Sequence, residues 1–309
     1  MRAVRIHQYG GTETLKLEQI EKPQLNDDDI LIQVKSAAIN PVDWKIREGY
    51  LKEFIPYSLP VTLGWDVAGI VTEVGAKVTG FAIGDEVFSR PNIARDGSYA
   101  DFIAIKADEA VLKSPKLDFA QAAALPLAGI TAWQCLVDVA DIQAGQRVLV
   151  HAGAGGVGHL AIQIAKAKGA TVIATASTAN LPLLKELGAD ETIDYTQGAL
   201  SEQIEKVDVV LDTMGGEVQK SSWALLNTNG MLVSVVEPPS EEITKEHNVR
   251  AAFVFIEPSA RILGELNALV ESDQLRPVIE HRFPLEKIVE AHEQSQSGRT
   301  RGKIIVDVS

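Results

Sequence analysis

Residues 151–160 read HAGAGGVGHL, with Gly153, Gly155 and Gly158 in a G-x-G-x-x-G frame and Gly156 inside it. Alone the pattern is weak, because glycine-rich turns are common. Its flanks make it specific: an apolar run, RVLVH, enters it, and a segment of helical periodicity, GHLAIQIAKAKG, leaves it. In that setting each glycine has a use. Gly153 permits a tight turn, Gly155 lets the backbone approach a pyrophosphate, and Gly158 lets the helix pack on the strand. The helix N-terminus offers unpaired amides and a positive dipole end to the phosphates. Gly153, Ala154, Gly155, Gly156, Val157 and Gly158 are therefore the candidate dinucleotide-binding residues.

The second strand of such a unit discriminates between dinucleotides. A site for NAD usually ends that strand with a carboxylate for the ribose 2′-hydroxyl. Here the strand reads TVIATAST, and no acidic residue occurs between Thr171 and Leu184. Ala176 stands at the carboxylate position, followed by Ser177 and Thr178. Two hydroxyls that can donate to a 2′-phosphate favour NADPH. No Lys or Arg lies between Lys168 and Lys185 to join them, and Ser177 and Thr178 serve equally well as a helix N-cap.

These residues need a scaffold, and the chain supplies two kinds. Up to about residue 115, short β-type segments (AVRIHQ, LKLEQI, ILIQVKSAAI, VAGIVTEV, DEVFS, ADFIAI) are separated by turn residues. That predicts a compact, barrel-like β unit. From residue 147 onward six apolar strands alternate with helical segments, the signature of a doubly wound parallel sheet. The tail, VIEHRFP and KIIVDV around the helix EKIVEAHEQ, returns to β character and is expected to rejoin the first domain. The predicted domains are 1–122 rejoined by 272–309, and 123–271.

Composition removes several functions. The 309 residues carry 29 basic and 42 acidic side chains, a net charge of −13, which disfavours nucleic acid and anionic membranes as partners. The one cysteine, Cys135, makes neither an internal disulfide nor a cysteine zinc site, and reads as a buried helix residue. The most membrane-like stretch, 117–137, is interrupted by Asp118, Gln121, Pro126 and Gln134 and reads as buried helix. With no signal-peptide run at the N-terminus, a cytoplasmic location is expected.

NPVDWKIREG (40–49), GWDVAGIVTEVG (64–75), GDEV (84–87), GSYADF (97–102), PLAGITAW (126–133) and AGAGGVG (152–158) occur in this order. Together they resemble the zinc-free quinone oxidoreductase branch of the medium-chain dehydrogenase/reductase superfamily, over nearly the whole chain. The resemblance implies an α/β protein: a GroES-like, β-barrel-type N-terminal domain and a Rossmann domain. Zinc-containing relatives carry Cys, His and Glu near the first two motifs. Here Asn40 falls at the cysteine, Trp65 at the histidine and Asp66 at the glutamate, which makes no tetrahedral site, so no metal is expected. The resemblance further implies that Thr131 lies by the nicotinamide, Tyr195 near the adenosine phosphate, and Val235 and Val236 in a loop passed by the cofactor. It places Lys303 where the C-terminus of relatives reaches the cofactor cleft. A lysine common after the second strand in relatives is replaced here by Ala179 and Asn180.

For the chemistry, Asn40 and Asp43 stand equally as positioning groups for substrate or nicotinamide and as residues that pin a loop, since Asn-Pro is itself a turn signal. Trp44 and Trp65 read as packing. Without a metal or a Ser-Tyr-Lys set, nothing in the sequence polarises a simple carbonyl. An already electrophilic quinone needs positioning more than activation. The expected activity is NADPH-dependent hydride transfer to a quinone. An alkenal/enone double-bond reductase is the alternative, and a non-catalytic NADPH-binding protein the alternative of another class. The expected partners are a small-molecule quinone or enone and, for assembly, a homodimer.

Overall fold

The computed structural model describes all residues, Met1–Ser309. The chain opens with β1 (Arg2–Ile6), β2 (Lys16–Gln19) and the eleven-residue β3 (Asp29–Ile39), followed by α1 (Pro41–Arg47). Next come β4 (Val61–Thr62), β5 (Val67–Val74), β6 (Glu86–Ser89), β7 (Phe102–Lys106) and β8 (Ala110–Leu112), then α2 (Phe119–Ala123) and α3 (Pro126–Trp133). Long β3 is buried along nearly all its length because it pairs antiparallel with β5, with β7 and with a strand from the C-terminus. A strand covered this way reads as a near-continuous apolar run, which explains ILIQVKSAAI. All six β segments expected before residue 115 are strands.

The second part alternates as expected: β9 (Arg147–Val150), α4 (Gly158–Ala167), β10 (Thr171–Ala176), α5 (Leu181–Glu186), β11 (Glu191–Asp194), β12 (Val207–Asp212), α6 (Gly216–Ser222), β13 (Leu226–Ser234), α7 (Glu241–His247) and β14 (Arg250–Phe253). Its six strands are all parallel, in the order β11-β10-β9-β12-β13-β14. Counted from β9 this is 3-2-1-4-5-6, the order of a dinucleotide-binding sheet whose direction reverses beside its first strand.

The tail holds α8 (Ala260–Glu271), β15 (Ile279–Pro284), α9 (Ile288–Gln296) and β16 (Lys303–Asp307). β16 pairs with β3, completing a sheet of seven strands with β15 at its edge. Two compact units result: 1–127 with 257–271 and 277–309, and 128–256 with 272–276. The division differs from the expected one chiefly in α8, which belongs to the first unit. There Asn267 accepts from the Ser114 amide (3.1 Å) and donates to the Leu112 carbonyl (3.2 Å), and Lys116 donates to the Glu271 carbonyl (2.7 Å). The stretch 117–137 forms short, largely buried helices, and no helix of the chain is long and apolar enough to cross a membrane.

Helices α1 and α9 meet in the first unit through a fully buried arginine. The Arg47 guanidinium donates to His292 Nδ1 (3.1 Å), Gln296 Oε1 (2.9 Å), Glu48 Oε1 (2.7 Å) and the Gly10 carbonyl (3.2 Å). His292 must therefore be neutral at Nδ1. Burial, reinforced by the positive charge of Arg47, pushes its pKa down to about 3. A histidine depressed in the folded state takes up its proton first in the unfolded chain. Its contribution to stability is full above the ordinary histidine range and is lost as pH falls towards 3. Between pH 6.5 and 4.5 this one group should cost about 2 kcal/mol. His292→Asn, which keeps an acceptor without a titratable ring, should flatten the acid limb of urea-unfolding stability by that amount. An unchanged slope would show that His292 is already protonated in the fold.

Candidate functional site

The glycine turn lies between β9 and α4 in the second unit. The tightness of the turn resides in Ala152, which adopts a left-handed conformation (φ 47°), and not in Gly153. Gly153 is needed for space instead: a Cβ there would sit 2.9 Å from Leu184 and 3.0 Å from Ala174. At Gly158 a Cβ would lie 2.3 Å from the Ala152 carbonyl oxygen, so close packing of helix on turn is the reason for that glycine. A Cβ at Gly155 would meet only the Ala152 carbonyl oxygen, at 3.2 Å, which leaves that side open for a ligand. The Gly153 amide donates to the Thr175 carbonyl (2.8 Å) and the Gly155 amide to the Ala152 carbonyl (2.8 Å). The amides of Ala154, Gly156, Val157 and Gly158 make no hydrogen bond within the chain. Four free donors at a helix start, beside an open glycine, fit a pyrophosphate.

The ends of the neighbouring strands brace this turn. His151, buried, shares a hydrogen with Ser222 Oγ (2.8 Å), and burial pushes its pKa down to about 4. Asp212, fully buried at the end of β12, accepts from the amides of Met214 (2.9 Å) and Gly215 (2.8 Å), from Gln219 (3.0 Å) and from Ser234 (2.8 Å). Burial works to raise its pKa, but these four donors outweigh it and hold the carboxylate below its usual range. Val235 and Val236 follow Ser234, partly and largely exposed, with the Val235 amide bonded to the Asp212 carbonyl (3.1 Å). Asp212 was missed in the sequence, although a carboxylate at a strand end before Gly-Gly is a readable signal.

At the tip of β10 the structure adds a carboxylate absent from the local sequence. Parallel pairing sets Asp194 of β11 opposite Ala176. Its carboxylate accepts from the Thr178 hydroxyl and from the Thr196 amide (2.9 Å) and hydroxyl (2.7 Å), and the Thr178 hydrogen bond comes first among the causes that lower its pKa. The Thr178 proton is thus committed to Asp194. Ser177 occupies the N-cap position of a short helical turn without capping it, and its Oγ accepts only a long bond from Asn180 (3.3 Å). Tyr195 is exposed, and Thr131 is buried on α3.

In the first unit, Asn40 and Asp43 both start α1. Asp43 Oδ2 accepts from the Asn40 amide (2.7 Å) and the Tyr99 hydroxyl (2.6 Å), with the carboxylate fully buried and Oδ1 unpaired. Burial pushes its pKa up to about 7 against those two donors. Asn40 Nδ2 donates to Asp66 (2.8 Å), while Lys303 Nζ donates to Asn40 Oδ1 and to Asp66 (3.0 Å). The other Asp66 oxygen accepts from the Leu127 amide (2.7 Å). Asn40, Asp66 and Lys303 are 2%, 0% and 2% exposed, so the Lys303 ammonium is spent inside this cluster. Nowhere does the chain gather three His, Cys, Asp or Glu side chains in a metal-binding group. Trp65 is fully buried and stacks on Tyr57, Trp44 meets exposed Tyr50 edge-on, and burial pushes the Cys135 thiol up to about 12, which makes it inert.

Breaking a buried ion pair from one side leaves the other charge stranded, at a cost of roughly 3–5 kcal/mol. Lys303→Met should lower stability by that order, and the double variant Lys303→Met/Asp66→Asn should recover part of it in urea unfolding. Additive losses would mean that the pair contributes nothing as a pair.

The comparisons with known proteins agree with this geometry. Residues 26–116 match the family model described as "Alcohol dehydrogenase GroES-like domain", and 187–306 the one described as "Zinc-binding dehydrogenase". The chain is 38% identical over 322 residues to an NADPH-dependent alkenal/one oxidoreductase of Arabidopsis thaliana, across 99% of this chain and 79% of that protein. To a quinone oxidoreductase of Pongo abelii it is 36% identical over 327 residues, across 99% and 97%. The structure of the quinone oxidoreductase from Coxiella burnetii superposes with a TM-score of 0.91 at 38% identity, covering 100% of this chain and 99% of that one. With its first-unit sheet and its 3-2-1-4-5-6 second sheet, the chain belongs to the zinc-free quinone oxidoreductase branch of the medium-chain dehydrogenase/reductase family of oxidoreductases.

Proposed function

We propose that this chain is an NADPH-dependent reductase of quinones. The observation that supports this most is the glycine turn, with four unpaired amides and an open face at Gly155 at the head of a dinucleotide-type sheet. The names of the relatives supply the acceptor class. Gly153–Gly158 would hold the pyrophosphate, with Ser177 and Tyr195 toward the adenosine phosphate and Thr131, Val235 and Val236 toward the nicotinamide; Thr178 would join the phosphate only by giving up its bond to Asp194. The bound cofactor supplies hydride. Asn40 and Asp43 act by position: Asp43 fixes the start of α1 and Asn40 ties that start to Asp66. Lys303 belongs to this scaffold and holds no phosphate in our reading. A cytoplasmic location and a homodimer are part of the same proposal.

Reduction of α,β-unsaturated carbonyls is the second reading. It is favoured because relatives at 38% identity are named 2-methylene-furan-3-one reductase (Solanum lycopersicum) and alkenal/one oxidoreductase (Arabidopsis thaliana). NADPH oxidation measured with a quinone panel and an enone panel separates the two.

Gly155→Val should abolish NADPH binding in a folded protein, because the added side chain occupies the open face. Unchanged affinity by fluorescence titration, with an intact circular dichroism spectrum, would refute the register. NADPH should bind about tenfold or more tightly than NADH, since a charge-assisted phosphate contact contributes roughly 1.5–3 kcal/mol. Asp194→Asn should widen that gap by removing a like charge beside Thr178, and equal affinities for the two cofactors would sink the assignment. Asp43→Asn keeps an acceptor for Asn40 and Tyr99, and should lower kcat with an activated quinone by less than the roughly 10²–10⁴-fold of a lost general acid–base. A thousandfold loss with NADPH affinity intact would assign Asp43 to proton transfer.

A further inference from the structure

Arg90, at the exit of β6, is 2% exposed, yet none of its nitrogens makes a hydrogen bond or an ion pair. Nε and Nη1 are fully shut off from solvent. A guanidinium stays charged at any physiological pH, and burying one without partners is among the costliest arrangements a fold can hold. The other buried arginine, Arg47, shows the ordinary solution, with four acceptors around it. Carboxylates do stand in the neighbourhood: Asp66, Glu257 and Glu109 all act on Arg90 electrostatically, as does Tyr57. None pairs with it. Asp66 is taken by Asn40, Lys303 and Leu127, Glu109 accepts from the Asn92 amide (3.1 Å), and the Tyr57 hydroxyl donates to the Ile93 carbonyl (2.6 Å). Burial lowers the Arg90 pKa against the pull of these neighbours, yet an arginine starts so high that the fork stays charged, and it is left without an acceptor.

We propose that Arg90 is an oxyanion-binding residue for the substrate of the reductase reading above. Its partner is the acceptor oxygen of a quinone or an enone. In the reaction, hydride adds to one end of the conjugated acceptor. A bound reduced nicotinamide would supply that hydride with its electron pair and would itself be oxidised, while the acceptor gains the new bond to hydrogen. The pair displaced from the acceptor's π system comes to rest on the oxygen at its far end, and a proton from water completes the product. Arg90 stabilises that developing charge and gives up no proton. The surrounding carboxylates select the ligand class: they oppose a hydrated phosphate dianion, but tolerate a neutral carbonyl that becomes a single anion only as it is reduced. Donors aimed at charge that develops during reaction favour the transition state over bound substrate. Tyr57, which belongs to the same neighbourhood, is itself held in place by stacking on buried Trp65 (centroids 6.1 Å, 27° between planes).

The test uses the full chain with Arg90→Met and Arg90→Lys. A structural arginine and a ligand-binding one give opposite signs. Arg90→Met should leave thermal stability unchanged or higher and NADPH affinity unchanged, while kcat/KM for quinone falls about 10²–10³-fold. Arg90→Lys, with a point charge in place of a fork, should fall between the two. As a probe without turnover, 4-nitrophenol titrated against the protein should show its pKa lowered by about one unit by the wild type, and much less by either variant. A destabilised or unfolded Arg90→Met, wild-type quinone turnover in Arg90→Met, or nitrophenol bound to the wild type without a pKa shift would each overturn the proposal. If wild type depresses the nitrophenol pKa through Arg90 yet oxidises no NADPH with any quinone or enone, the oxyanion site stands and the reductase reading fails.

Discussion

The contact between Lys303, Asp66 and Asn40 holds the first unit to one arrangement. Lys303 begins the last strand, Asp66 precedes β5 and Asn40 caps the first helix, so one buried ammonium ties three distant parts of the chain. Each charge is desolvated, and each is compensated only by the others and by the Leu127 amide. Such a cluster adds little net stability over an apolar core, but no member of it can move alone without stranding a charge. Asp43 and Tyr99 extend the constraint: the carboxylate that fixes the start of α1 is also the acceptor for a phenol 56 residues away.

The second unit is organised on a different principle. Its core is apolar and its polar groups gather where the parallel strands end. His151, Asp212 and Asp194 each bond local amides or hydroxyls at those ends, which shapes the loops. The turn after β9 is the exception, since four of its amides are satisfied by nothing in the chain. Unpaired donors concentrated at one turn and a helix start mark where a ligand completes the fold.

Arg90 is the corresponding case in the first unit. Other buried side chains there leave one polar atom unpaired, but Arg90 is the residue whose whole guanidinium is, beside an Asp66 carboxylate whose oxygens are both taken. The two exceptions differ in sign of burial: the amides lie at an open turn suited to a bulky pyrophosphate, whereas the guanidinium is deep and suited to a single oxygen at the end of a flat molecule.

The sequence by itself determined the two-part organisation, the strand and helix periodicities and the glycine turn, because each depends on neighbours within about ten residues. It also showed that zinc ligands are missing, since that needs only residue identities. It read Gly153 as the turn-former, but the left-handed residue is Ala152, and backbone dihedrals are not written in residue type. The partners of the polar side chains came only from tertiary structure. Lys303 meets Asp66 across 237 residues, and Asp194 reaches Thr178 only because β11 pairs beside β10. Helix α8 joins the first unit through contacts to Ser114 and Leu112 that no periodicity announces. Arg90 carries no signal in the sequence at all: that the chain closes over an arginine before a proline at a strand end is decided only by the fold.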